Sequence, residues 1–174
     1  MKTRTDFILA IMNVLAWVTF FGLAVKTGAI LISYGVSIKN PIASENLYMG
    51  WNLSKVRQYD FWHYTSMVTM NVLILIIDAV IAYLITRALS KIKMSNPFTM
   101  PVANLLEKVS YLILLVWVVA MLYNSYLAWL SKQITGFQEN KFSGEFILMA
   151  GVVFVFSQIF KKGVEIQSEN ELTV

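Results

Sequence analysis

The chain contains no cysteine. Disulfides, thiolate nucleophiles and Cys-ligated metal sites are therefore excluded within it, and the redox compartment is left open. There is one histidine, His63, so no two-His metal or haem site can form within a single chain. Charge is also sparse: Asp, Glu, Lys and Arg make up 14% of 174 residues. The formal net charge of +4 is modest, and no basic stripe is present. That excludes a direct nucleic-acid surface and fits basic residues flanking apolar spans at anionic lipid. No metal and no cofactor is expected.

What the chain has instead is hydrophobic length. Apolar residues make up 57% of it, and the mean hydropathy is +0.63. Residues Met67 to Thr86 read MVTMNVLILIIDAVIAYLIT, with Asp78 as the one formal charge. A run of ~20 such residues at ~1.5 Å each spans a ~30 Å hydrocarbon core. Three further runs lie around it. The expected fold is all-α: an integral membrane four-helix bundle in a single domain, with spans at about 7–30, 65–87, 107–130 and 143–162.

The first run, from Phe7 to Val25, exceeds the ~7–15 apolar residues of a secretory signal, so it reads as a retained helix. Lys26 is expected to snorkel outward from it. Ala24 and Gly28 form a small-xxx-small pair suited to close helix approach. The stretch from Ser37 to Trp62 is the longest polar one, broken by Asn40-Pro41 and rich in Tyr48, Trp51, Tyr59 and Trp62. It reads as an interfacial anchor or a short surface helix. Ser95-Asn96-Pro97 stops the second span, Thr99 caps the next helix, and Pro101 is tolerated in its first turn. The fourth run is short, and snorkelling end charges around Lys161 lengthen it. Gly163 is expected to loosen its end, and residues 163–174 form an acidic cytoplasmic tail.

Orientation follows Lys and Arg. Arg87, Lys91, Lys93, Lys161 and Lys162 all sit just past an apolar run, on the side that also holds Lys2 and Arg4. Both termini are therefore expected to be cytoplasmic.

Polar residues within the spans are the candidate site. A carboxylate at bilayer depth costs about 2.5–3.5 kcal/mol on insertion scales, so Asp78 should face the interior. Depth arithmetic brings Asn13 to a similar depth and Gln158 to a shallower one on the same side, so the three could meet, and it pairs Asn71 with Asn124 in the outer half. These residues are either interhelical glue or a proton, ion or ligand site. Asp60, His63 and Ser66 share a helical face, but no oxyanion donor or nucleophile turn accompanies them, so His63 reads as an interfacial side chain.

Two stretches carry a family resemblance. They are Asn96-Pro97-Phe98-Thr99 leading into a helix, and the ending IFKKGVEIQSENELTV from Ile159 to Val174. Both resemble the bacterial membrane proteins filed as domain of unknown function 2975. The resemblance covers nearly the whole chain in length and span count, and the Glu-Asn-x-Leu-Thr-Val ending is its most specific part. It implies a four-span protein of the bacterial inner (cytoplasmic) membrane and brings no established activity or catalytic residues. It also implies a partner, since members are often encoded beside a small helix-turn-helix regulator. Asp78 and the amides are read from this sequence and not from the family.

The leading expectation is a non-enzymatic sensor or sequestering protein. Its tail, with Glu165, Glu169, Asn170, Glu171 and Leu172, would dock a small basic regulator. The alternative is a small transporter or channel with Asp78 as its proton or ion site. Four helices enclose little room, so that path would need a homo-oligomer.

Overall fold

The computed structural model describes residues 4–92, 98–137, 141–142 and 146–172, the side chains of 146 and 170–172 excepted. Five α-helices occur among them: α1 (Arg4–Lys39), α2 (Ser54–Tyr59), α3 (Phe61–Lys91), α4 (Met100–Gln133) and α5 (Phe146–Leu172). A 3-10 turn, Pro41–Glu45, precedes α2. Four helices are long and apolar enough to cross a membrane: α1, α3, α4 and the Ile147–Glu169 part of α5.

The helices outrun the apolar runs that seed them. α1 has 36 residues and α4 has 34, about 50 Å of helix each against a ~30 Å hydrocarbon core. The helices thus extend beyond the spans expected at 7–30 and 107–130. Backbone hydrogen bonding continues past the lipid boundary as long as no breaker intervenes. α1 stops where Asn40-Pro41 intervenes: Asn40 N–H closes on Val36 at 2.9 Å, and the Asn40 side chain accepts from Ile42 N–H at 3.2 Å. α4 starts at Met100, directly after Thr99, whose main-chain carbonyl accepts from Val102 and Ala103, and Pro101 lies in the first turn. Ser95, Asn96 and Pro97 lie outside the described residues. α5 has 27 residues and remains helical through the segment expected to be a tail.

The chain divides into two compact units. One holds Met1–Phe21, Asp78–Leu115 and Glu145–Val174; the other holds Gly22–Ile77 and Val116–Gly144. We refer to them as the terminal and the middle unit.

In the terminal unit, as α1 advances from Asn13 to Trp17 and Phe20, its partners in α3 retreat from Ser90 to Tyr83. The two helices are antiparallel. α4 and α5 are antiparallel on the same ground: Glu107 meets Lys161, and Tyr111 meets Phe154. The buried faces here carry small residues seven apart, Ala103 and Ser110 on α4 and Ala150 and Ser157 on α5, which let helices approach closely without a hydrophobic drive. Their hydroxyls need no water. Thr86, Ser110 and Ser157 each donate to a carbonyl three residues back in their own helix. Most of the apolar surface of α1 and α5 is exposed, including Phe7, Ile11, Val14, Val18 and Phe21 on α1 and Leu148, Val155 and Ile159 on α5. Exposed apolar area of this extent suits candidate membrane-spanning helices.

The middle unit has a conventional core. Tyr64, Met67, Val68, Val72 and Leu75 form one face of α3 at helical spacing. They pack with Ile30 of α1 and with Tyr123, Leu127 and Leu130 of α4. The segment between α1 and α3 belongs to this core: Leu47, Leu53 and Val56 are fully buried in it. It is therefore more than the surface anchor expected from its aromatics, though Tyr59 and Trp62 do stay exposed. Asp60 joins its two helices. Asp60 N–H closes α2 on Val56, and its carboxylate accepts from His63 N–H at 2.8 Å to cap α3. Arg57 caps the other neighbour, donating to the α1 carbonyls of Ser37 and Ile38.

Candidate functional site

The residues singled out in the spans take different environments. Asp78 is half-buried on α3. Asn13 is half-buried as well; its Nδ2 donates to Ser90 Oγ at 3.5 Å, and its Oδ1 is buried without a hydrogen-bond donor. Gln158 is exposed on α5 and donates to its neighbour Ser157 at 3.3 Å. It therefore does not join a buried cluster with Asp78 and Asn13. Depth arithmetic sets the level of a side chain along the membrane normal but not its burial, and Gln158 is exposed.

The outer pair is corrected too. Asn124 does not pair with Asn71. Its Nδ2 donates to Phe142 O, and its Oδ1 accepts from Phe142 N–H, both at 2.9 Å. One amide thus satisfies both main-chain groups of a residue in the loop that follows α4. The Phe142 ring also meets Tyr123 edge-on, with centroids 5.1 Å apart. Asn124 is a loop clamp. The signal for it was an amide late in a span, facing a loop whose main chain needs partners.

Asn71 lies elsewhere. It lines a cavity of about 270 Å³ together with Lys26 and Ile30 of α1 and with Tyr48, Met49 and Trp51. Lys26 is half-buried there. The reason is local. Tyr48–Trp51 is a tight turn, closed by Trp51 N–H to Tyr48 O at 2.9 Å and Leu47 N–H to Trp51 O at 2.8 Å. Both central residues have positive φ, Met49 at 46° and Gly50 at 86°, as in a type I′ turn. The turn folds the aromatic pair against the core beside Lys26. Gly50 suits this geometry; Met49 stores backbone strain of about 1–2 kcal/mol. Sequence patterning could not reveal it, because Met49 is no turn former.

Asp60, His63 and Ser66 do not make a hydrolytic triad. Asp60 is the α3 cap, and His63 Nδ1 hydrogen-bonds the Tyr126 hydroxyl, which Ser66 also approaches. The imidazole lies among Tyr59, Tyr126 and Trp129. Asn52-Leu53-Ser54 is likewise a local turn: Asn52 Oδ1 accepts from Ser54 N–H at 2.9 Å and from its hydroxyl at 2.7 Å.

Glycines and lysines give three further corrections. A Cβ at Gly28 would meet nothing within 4 Å, so no close helix contact rests on it. A Cβ at Gly163 would lie 2.7 Å from the Phe98 ring; Gly163 makes room for that ring and does not loosen a helix end. Lys161 does not extend away from the protein but pairs with Glu107 at 2.9 Å. Beyond it, α5 carries an exposed Lys162–Glu165 pair at 2.8 Å and an exposed Glu169. The side chains of Asn170, Glu171 and Leu172 lie outside the described residues.

Searches of curated proteins and of solved structures return no match. A family model does match, over residues 37–174, which takes in α2, α3, α4 and α5 with the candidate cavity's Tyr48, Met49, Trp51 and Asn71. A multi-pass protein with four candidate membrane helices, the chain belongs to the family described as protein of unknown function DUF2975.

Proposed function

We propose that this is a non-enzymatic protein of the bacterial inner membrane, with both termini cytoplasmic, that holds a small basic regulator at the membrane surface. The observation that carries the reading is α5. It does not end with its apolar run but continues as regular helix to Leu172, with Glu165 and Glu169 exposed. A helix that leaves the bilayer offers a pre-formed docking surface, which lowers the ordering cost that a flexible tail would meet on binding. Its exposed acids suit a basic partner, as acidic recognition surfaces do. The Lys161–Glu107 pair ties the emerging helix to α4 and so keeps its exit fixed. A helix-turn-helix regulator of the kind implied by the family is the partner that fits.

Co-sedimentation tests the reading. A chain lacking Glu165–Val174 should leave the partner in the soluble fraction, while the full chain carries it to the membrane pellet. Equal sedimentation with both chains would remove the proposal.

A further inference from the structure

The cavity between α1, α3 and the Tyr48–Trp51 turn has a composition that selects a ligand. Its walls hold one cation, Lys26, and one amide, Asn71. No acidic residue lines it. Among the described residues, neither Lys26 nor Asn71 has a hydrogen-bond or ion-pair partner. Both residues are half-buried and border the cavity, so their polar groups are open to whatever enters it. The remaining walls are Ile30, Tyr48, Met49 and Trp51. Tyr and Trp are the residues that sit at headgroup level, apolar ring toward the chains and polar edge toward water. Met49, held at positive φ and almost fully exposed, stands at the rim. Strain of this kind persists at sites that clamp ligands.

We propose that this cavity binds a phosphate group. The phosphate oxygens meet the Lys26 ammonium and the Asn71 amide, and the organic remainder lies against Ile30, Trp51 and Met49. Lysine serves phosphate as a compact point charge. The two sources of that chemistry are an anionic phospholipid headgroup and a free phosphate-bearing solute. The apolar wall and the exposed Leu31 and Ile32 of the same helix favour the lipid. This inference is independent of partner docking on α5.

The test uses full-length protein in nanodiscs of phosphatidylcholine alone or with added phosphatidylglycerol, and separately with inorganic phosphate. Binding is read by native mass spectrometry and by Trp fluorescence, with Trp51→Phe to assign the signal. Saturable binding to phosphatidylglycerol or to phosphate, weakened about tenfold or more by Lys26→Gln and kept by Lys26→Arg, is the expected result. The arm that saturates identifies the source. If Lys26→Gln fails to fold, Asn71→Leu serves in its place with the same expectation. Equal binding by the variants and the native chain, or no saturable binding in either arm, would overturn the proposal. Neither readout involves a cytoplasmic partner, so its failure is separate from that of the docking role.

Discussion

At the scale of single residues, two contacts make sharp expectations. Asn124 satisfies both main-chain groups of Phe142. Asn124→Ala leaves that donor and acceptor without their partner in a half-buried place, at a cost of about 1–3 kcal/mol. Thermal unfolding in detergent should show the loss, and Asn124→Asp, which keeps only the acceptor half, should fall between. At Gly163 the Phe98 ring fills the space that a side chain would take. Gly163→Ala should cost about 1–3 kcal/mol by overpacking. Adding Phe98→Ala removes the clash, so the double variant should be more stable than the sum of the two single effects allows. Simple additivity would show that the ring is not what the glycine accommodates.

The sequence made these residues visible as types but not as partners. A polar residue at position 124 within an apolar run announces that it must be satisfied, and it is. Spacing along a helix gives level and face relative to its own neighbours. It does not give the rotation of one helix against another, and so it does not show that Asn124 meets Phe142 while Asn71 lines a cavity. The cavity that Lys26 lines is hidden for a different reason. It includes a turn that depends on a methionine at positive φ, and no propensity marks that position.

At the scale of elements, the existence of four long helices was legible because each carries an apolar run that only a membrane accommodates. Their ends were not, since hydropathy reports where lipid stops and hydrogen bonding does not stop there. The 40–60 segment is the least legible. Its buried Leu47, Leu53 and Val56 follow neither a helical nor a strand period, and its aromatics are the stronger signal. The segment is fixed at both ends by charged caps. Arg57→Ala removes the donor to two α1 carbonyls and should destabilise the protein by about 1.5–3 kcal/mol, with Arg57→Lys recovering part of it. Asp60→Ala should cost about 1 kcal/mol through the lost α3 cap. Protease cutting between α1 and α3 measures both, and unchanged cutting rates would show that the caps do not hold the segment.

At the scale of the whole molecule, the proposed role requires that four helices cross the bilayer in alternating directions, with both chain ends on the cytoplasmic side. The antiparallel contacts of α1 with α3 and of α4 with α5 support alternation. The exposed apolar surface supports immersion. The lack of native cysteine makes the decisive experiment clean. Single cysteines are placed at exposed positions by Thr5→Cys, Glu45→Cys, Lys91→Cys, Thr135→Cys and Ser168→Cys, and intact cells are treated with a membrane-impermeant maleimide. Labelling of the cysteines at 45 and 135 only, with those at 5, 91 and 168 reacting after lysis, is the result expected. Labelling of either chain end from outside, or of the cysteine at 91 together with that at 45, would contradict four alternating crossings.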